Sequence, residues 1–426
     1  MMVKRALLFP GQGSQYVGMG KDLFVKYPLA KETFQEANDA MNVDLTKLMF
    51  EGSMKELTRT EYAQPALLAV GMAMFRVYSE VIGIDLNYMA GHSLGEITAL
   101  TCAGSIPFAS AIRIVHRRGE LMREAAAIGG GAMAAVNELD VSEVAAICAS
   151  VSSTYKGGTE IVVVSNINSE DQIVISGHKG ALSEAAERLT ERGGVVIPLE
   201  VSAPFHSPLM APAAEQFAEE LSKHKFSPLQ YPVISSVTAK PYVSSDEIAK
   251  VLTEQLTAPV QWTAVLRYLR ENGVSEAVEM GPRAVLKKLA RNTADMKVFA
   301  FDHGPDVEQL LSESNVTEQD YSLDFIIQCI AIATCTRNRN WDSEAYAQGV
   351  VTPYRNVQTM LYQLQQSGGQ VAWTHIEQAY TMLLSVLETK LVPEHEQLSR
   401  LERLLADNGL QEKFGKGSLI EVITHL

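Results

Sequence analysis

Gly91-His92-Ser93-Leu94-Gly95 places a serine between two glycines, after a short apolar run (Leu86 to Ala90) and before a helix-forming stretch, Glu96 to Ala103. A serine on a sharp strand-to-helix turn has its hydroxyl pushed clear of the backbone. The glycines permit the turn, and the helix N-terminus behind it favours developing negative charge. That is the geometry of nucleophilic attack on an acyl group, and an ordinary turn is the lesser alternative for these five residues in their strand–helix context. A serine hydroxyl also needs a base to take its proton. His92 adjoins Ser93 in sequence but need not face it. His116, His178, His224, His303, His375, His395 and His425 sit in helical, loop or terminal contexts without a supporting pattern. His206 lies between Ser202-Ala203-Pro204-Phe205 and Ser207-Pro208, a loop from a strand end to a helix start, which suits a catalytic base. Surface solvation is the other reading of any single loop histidine.

Positioning these groups requires a particular order of elements. Residues 5–9 read as a buried strand ending at Pro10-Gly11-Gln12-Gly13-Ser14-Gln15. A long helix is expected from about Tyr62 to Val81, with Pro65 in its first turn, and another from about Phe108 to Ala126. Strands alternating with helices predict an α/β layer with parallel strands. Ile128-Gly129-Gly130-Gly131 breaks the pattern. A strand (Ala132 to Asn137), a helix from near Val141, a hairpin (Ile161–Ser165 and Gln172–Ser176, turning through Asn166 to Asp171), a helix (Ala181 to Arg192) and a strand (Val195 to Leu199) follow. That βαββαβ order is ferredoxin-like. It reads as an insertion, because strands resume at Val233–Val237, Ala277–Met280 and Lys297–Phe301. The stretch from about Gly304 to Gln319 reads as a polar, acidic loop. Helices are expected beyond it at Tyr321–Thr334, Val357–Gln366, Ile376–Thr389 and Glu394–Ala406, with breaks at Gly349 to Pro353 and Ser367-Gly368-Gly369. The expected division is 1–127 and 201–304 for a large α/β body, 128–200 for the inserted module and 305–426 for a helical extension.

Composition narrows the function. The 426 residues are 46% hydrophobic and 20% charged, enough for sizeable cores. A formal net charge of −14 argues against general nucleic-acid or anionic-membrane binding. Cys102, Cys148, Cys329 and Cys335 show neither metal-ligand nor framework spacing, and no run approaches the ~20 apolar residues of a membrane span. With no signal peptide at the start, a cytoplasmic protein without a bound metal is expected.

Five motifs occur in order: Pro10 to Gln15, Gly91-His92-Ser93-Leu94-Gly95-Glu96, Arg118-Gly119 with Leu121-Met122, Pro204-Phe205-His206, and Val260-Gln261-Trp262. Together they resemble the malonyl-CoA:acyl-carrier-protein transacylases and the acyltransferase domains of polyketide synthases, over roughly residues 4–303. The resemblance implies an α/β-hydrolase-like body carrying a ferredoxin-like subdomain. It further implies Ser93 as acylated nucleophile, His206 as general base oriented by a backbone carbonyl at Gln261, and backbone N–H groups of Gln12 and Leu94 as the oxyanion hole. Arg118 would grip the malonyl carboxylate in a fork of hydrogen bonds that lysine cannot match. Arg113, Arg117 and Arg123 read as solvated helix charges. Phe205 would favour malonyl over methylmalonyl, a preference worth about 1–3 kcal/mol. His92, Gln64 and Asn166 match positions near the pocket, though turn chemistry explains Asn166 equally well. The implied reaction moves a malonyl group from malonyl-CoA to the phosphopantetheine thiol of an acyl carrier protein, without a bound cofactor.

Residues 305–426 resemble tails of free-standing acyltransferases that serve polyketide assembly lines, which tilts the expected acceptor from fatty-acid toward polyketide synthesis. Lys287, Lys288 and Arg291 are candidates for contact with an acidic carrier, and a solvated face explains them as well. An acyl hydrolase clearing carrier proteins would share Ser93 and His206 but has little use for Arg118. A silent carrier-binding module has little use for Ser93, His206 or the oxyanion loop.

Overall fold

The computed structural model describes residues 3–83, 86–155, 158–199, 201, 203–291, 295–313, 322–367, 371 and 373–411. Ser202, 314–319, Gly368, Gly369 and His425 lie outside the described residues. The chain divides into two compact units, Met1–Ser314 and Asn315–Leu426. Among the described residues the strands are β1 (Lys4–Phe9), β2 (Tyr88–Gly91), β3 (Gly131–Asn137), β4 (Val162–Ile167), β5 (Gln172–His178), β6 (Val195–Pro198), β7 (Val233–Ile234), β8 (Val274–Glu279) and β9 (Lys297–Ala300).

β1 explains the first sheet. Its Ala6, Leu7, Leu8 and Phe9 are all buried, as in a parallel strand covered on both faces. Side chains alternate across a strand, so Leu7 and Phe9 enter the large core while Ala6 and Leu8 enter a second one with Trp262, Val265, Leu266 and Leu286. The sheet is parallel, in the order β7-β2-β1-β8-β9. The chain builds outward from β1 on one side and later crosses to the other. The carboxyl ends of β1 and β8 therefore flank the topological switch point, where such sheets hold ligands, and β2 ends on the other side of β1.

The helix at Thr60–Val81 starts earlier than its sequence suggests, so Pro65 falls beyond the first turn. A proline there leaves the carbonyl four residues back, that of Glu61, without its helical partner. Nδ1 of His116 donates to that oxygen at 2.8 Å.

The inserted module is a four-stranded antiparallel sheet, β4-β5-β3-β6, with the helices Val141–Thr154 and Lys179–Glu191 packed in its own core. Asn166 is not in the hairpin turn but inside β4, buried at an irregularity between Val164 and Asn166. That irregularity turns the strand toward Val260, whose N–H donates to Ser165 and whose carbonyl accepts from Ile167, both at 2.9 Å.

Residues 304–313 form a helix, Gly304–Glu313, not a loop. Leu310 is fully buried in the large core with Val307 against it, and Asp306 accepts from Ala300 N–H at 2.7 Å and pairs with Lys287. This segment belongs to the first unit, and Lys287 is committed to it.

The second unit packs the helices Leu323–Cys335, Thr352–Ser367, Trp373–Thr389 and Glu394–Asp407 around Phe325, Ile326, Ile376, Leu383 and Leu401. Buried Lys390 donates from Nζ to the carbonyls of Ala333 (2.7 Å) and Thr336 (2.9 Å), closing the C-terminus of the first of these helices. Trp341 stands exposed.

Candidate active site

The two flanking glycines are steric requirements. A Cβ on Gly91 would lie 1.9 Å from the backbone of Gly95, and one on Gly95 would lie 1.9 Å from the carbonyl oxygen of Phe9. The helix Leu94–Cys102 thus starts directly against the end of β1. Ser93, at the junction, adopts φ 53° and ψ −107°, a conformation non-glycine residues rarely hold.

Ser93 Oγ lies 2.8 Å from His206 Nε2, across 113 positions of sequence. His206 Nδ1 lies 2.8 Å from a backbone carbonyl, which can only accept, so Nδ1 carries the proton and Nε2 is left to accept from Ser93. Burial, then the charge of Arg118, pushes the His206 imidazole down to about 3. The ring is therefore neutral at physiological pH.

The carbonyl that orients His206 belongs to Gln255, not Gln261. Gln261 precedes the helix Trp262–Glu271, and its carbonyl accepts from Val265 N–H at 3.0 Å in the first turn. Gln255 ends the helix Ile248–Gln255, where carbonyls lack helical partners. Its side chain acts too. Oε1 accepts from Arg118 Nη2 at 2.9 Å, and Nε2 donates to Glu96 at 2.6 Å and to the Ser93 carbonyl at 3.2 Å. Buried Glu96 also accepts from Tyr242 Oη (2.5 Å) and from Ser236 Oγ and N–H (2.5 and 3.0 Å).

Arg118 is 1% exposed, on the helix Phe108–Gly129. Nη1 donates to Gln64 Oε1 at 2.9 Å, Nη2 reaches Ser93 Oγ at 3.3 Å, and Nε is buried without a partner. Burial pulls its guanidinium down to about 10, so it stays charged at neutral pH, yet it forms no ion pair among the described residues. Its neighbours differ: Arg117 pairs with Glu120, Arg123 pairs with Glu61, and Arg113 is exposed.

A cavity of about 210 Å³ opens over these groups. Gln12, Leu94, His92, Asn166, Phe205 and Arg118 all line it beside Ser93 and His206. Gln64 does not; it stands behind Arg118, braced at 3.4 Å by Met122 Sδ. His92 Nε2 donates to Asn168 Oδ1 at 2.9 Å, and burial lowers its imidazole below the usual range. The N–H groups of Gln12 and Leu94 make no hydrogen bond among the described residues. Residues missed in the sequence are Gln255 and Asn168. Gln255 carried a signal, since it continues the buried stripe Ile248, Val251, Leu252 as its one polar member. Among the described residues no cluster of His, Cys, Asp or Glu is placed to hold a metal ion, and no helix is long and apolar enough to cross a membrane.

Residues 6–312 match the acyl transferase domain family. A malonyl CoA-acyl carrier protein transacylase of Bacillus subtilis is 35% identical, covering 93% of this chain and 99% of its own length, so the match reaches well into the helical second unit. The transacylase of Escherichia coli K12 is 42% identical over 69% of this chain and 94% of its own. Among solved structures, the Coxiella burnetii transacylase superposes with a TM-score of 0.70 at 35% identity, covering 73% of this chain and 97% of that one. A malonyl-transacylase in complex with the holo acyl-carrier protein of a type II polyketide synthase does so at 0.70 and 39% identity, covering 72% and 99%. The chain belongs to the family of malonyl-CoA:acyl-carrier-protein transacylases.

Proposed function

We propose that Ser93, His206 and Arg118 transfer a malonyl group from malonyl-CoA to the phosphopantetheine thiol of an acyl carrier protein, through a malonyl ester on Ser93. The observation that carries this reading is the guanidinium of Arg118, buried, charged and in direct contact with no carboxylate among the described residues, 3.3 Å from the nucleophile, with buried Glu96 acting on it only across the Gln255 amide. A desolvated cation costs several kcal/mol unless an anion meets it. A malonyl group brings a carboxylate to that place, whereas an acetyl group brings none.

In the first half-reaction His206 Nε2 takes the Ser93 proton as Oγ attacks the thioester carbonyl. The N–H groups of Gln12 and Leu94 face the developing oxyanion. Collapse breaks the carbon–sulfur bond, and the departing thiolate takes the proton from Nε2. In the second, the carrier thiol gives its proton to Nε2 and attacks the ester, and Ser93 leaves with that proton. A carboxylate on Arg118 cancels part of the charge that suppresses His206, so the correct acyl group strengthens its own base. Phe205, against the cavity beside His206, limits room for a branch on the acyl chain.

Fatty-acid and polyketide carriers present the same thiol, so the pathway is a choice of carrier. Our reading favours polyketide carriers, on the helical second unit. Incubating the protein with malonyl-CoA and each holo carrier, and weighing the carriers, tests it. Malonylated carrier that disappears with Ser93→Ala supports the reading, and free malonate with unmodified carrier would replace it with hydrolysis.

A further inference from the structure

A second recess of about 210 Å³ opens beside the catalytic cavity and shares Gln12, Thr58 and Val201 with it. Its charged lining is Lys55, Arg59, Arg123 and Glu61, three cations against one anion in a chain whose net charge is −14. Glu61 is engaged through one oxygen, while Oε2 is buried without a hydrogen-bond partner among the described residues. Its Oε1 takes Arg59 (2.6 and 3.1 Å) and Arg123 Nε (3.1 Å). That leaves Lys55 Nζ, Arg59 Nη1 and both Nη groups of Arg123 without a protein acceptor among the described residues. Arg59 is further fixed by stacking over Tyr62, 5.0 Å from its ring centre. The 22-residue helix Thr60–Val81 starts in the same recess with no side chain capping it, adding backbone donors to the cations.

We propose that this recess binds a phosphate group of the pantetheine-bearing substrates. The proposal rests on the malonyl-transfer reading, under which every natural donor and acceptor carries phosphate on the arm that ends in the reacting sulfur. Two guanidinium groups held by Glu61, with the Lys55 ammonium beside them, at the mouth of an acidic protein suit a phosphate better than a carboxylate-bearing acyl tail, which Arg118 already serves. The recess also touches the catalytic machinery directly. Gln12, whose backbone N–H faces the proposed oxyanion, donates from its side chain to Thr60 Oγ1 at 3.3 Å. Phosphate seated at the start of that helix therefore braces the loop that holds the oxyanion donor.

The experiment compares three donors on the full chain: malonyl-CoA, malonyl-phosphopantetheine and malonyl-pantetheine, the last without phosphate. The variant is Lys55→Gln/Arg123→Gln, which keeps Arg59 on Glu61. Two exposed charge contacts with phosphate predict a rise in KM of about three- to tenfold for phosphate-bearing donors. A rise for both of them places the arm phosphate in the recess, and a rise for malonyl-CoA alone places a nucleotide phosphate there. No rise, or an equal rise with malonyl-pantetheine, overturns the proposal. If the variant does not fold, the wild-type salt dependence decides. KM for phosphate-bearing donors should climb with ionic strength while that for malonyl-pantetheine stays level, and parallel behaviour overturns it. Ser93 acylated by malonyl-pantetheine leaves the malonyl-transfer reading intact whichever way the phosphate result falls.

Discussion

Gln255 meets His206 twice over: its carbonyl fixes the imidazole at 2.8 Å, and its side chain fixes Arg118, the cation that lowers the same imidazole. One residue at a helix end thus holds the proposed base His206, the proposed acyl anchor Arg118 and, through Glu96, the start of the helix behind Ser93. Gln255→Ala keeps the carbonyl and removes the amide. Removing two to three buried hydrogen bonds, worth about 1–3 kcal/mol together, predicts a fall of about 10- to 100-fold in kcat/KM for malonyl-CoA. Discrimination against acetyl-CoA should narrow as well, because Arg118 is no longer held. Steady-state kinetics with both donors checks this, and an unchanged malonyl preference would deny the amide its role.

The field of Arg118 on His206 is measurable directly. Because a neighbouring cation disfavours the imidazolium, Arg118→Ala should raise the His206 pKa from about 3. Malonate bound to the wild type should move it the same way. Nitrogen-15 NMR of the imidazole against pH reads both, and a pKa that stays put on either change would uncouple the two groups.

Acid stability has a fixed sign. Unfolded, His206 titrates near 6.5, whereas folded it holds off its proton to about 3. Between those values the unfolded chain binds more protons, so the stability maintained above pH 6.5 is lost as pH falls toward 3. His206→Asn should flatten the fall in midpoint of chemical denaturation over that window. Slopes that match wild type would mean that the buried imidazole contributes nothing to it.

Gly95→Ala drives a methyl into the Phe9 carbonyl, where backbone has no room to move. We expect a loss of about 3 kcal/mol or more, or no folded protein. Gly304→Ala meets nothing within 4 Å and should change stability by less than about 0.5 kcal/mol. Urea denaturation of the pair tests whether the glycine is there for packing.

Much of this site is legible in the sequence. Ser93 sits at a strand–helix turn with its glycines, His206 lies past a module whose strand order follows from periodicity, and Arg118 follows from ordered motifs. The rest is hidden for identifiable physical reasons. Motif position points to Gln261 for the orienting carbonyl, but a carbonyl is available only where a helix runs out, at Gln255. Asn166 reads as turn chemistry because the pairing of this part of β4 with Val260, distant in sequence, is tertiary. Residues 304–313 read as loop because polar and acidic residues outnumber the apolar ones. Asp306 at the start and the spacing of Val307 and Leu310 make a helix once a core is present to receive them.

Mass analysis of the acylated protein bears on Ser93 and Arg118 together: wild type and Arg118→Ala, each mixed with malonyl-CoA or acetyl-CoA, then digested. We expect malonyl on the peptide bearing Ser93 in the wild type, little acetyl there, and loss of that preference in the variant. An adduct on another residue, or equal malonyl labelling with and without the guanidinium, would contradict malonyl transfer through these two groups.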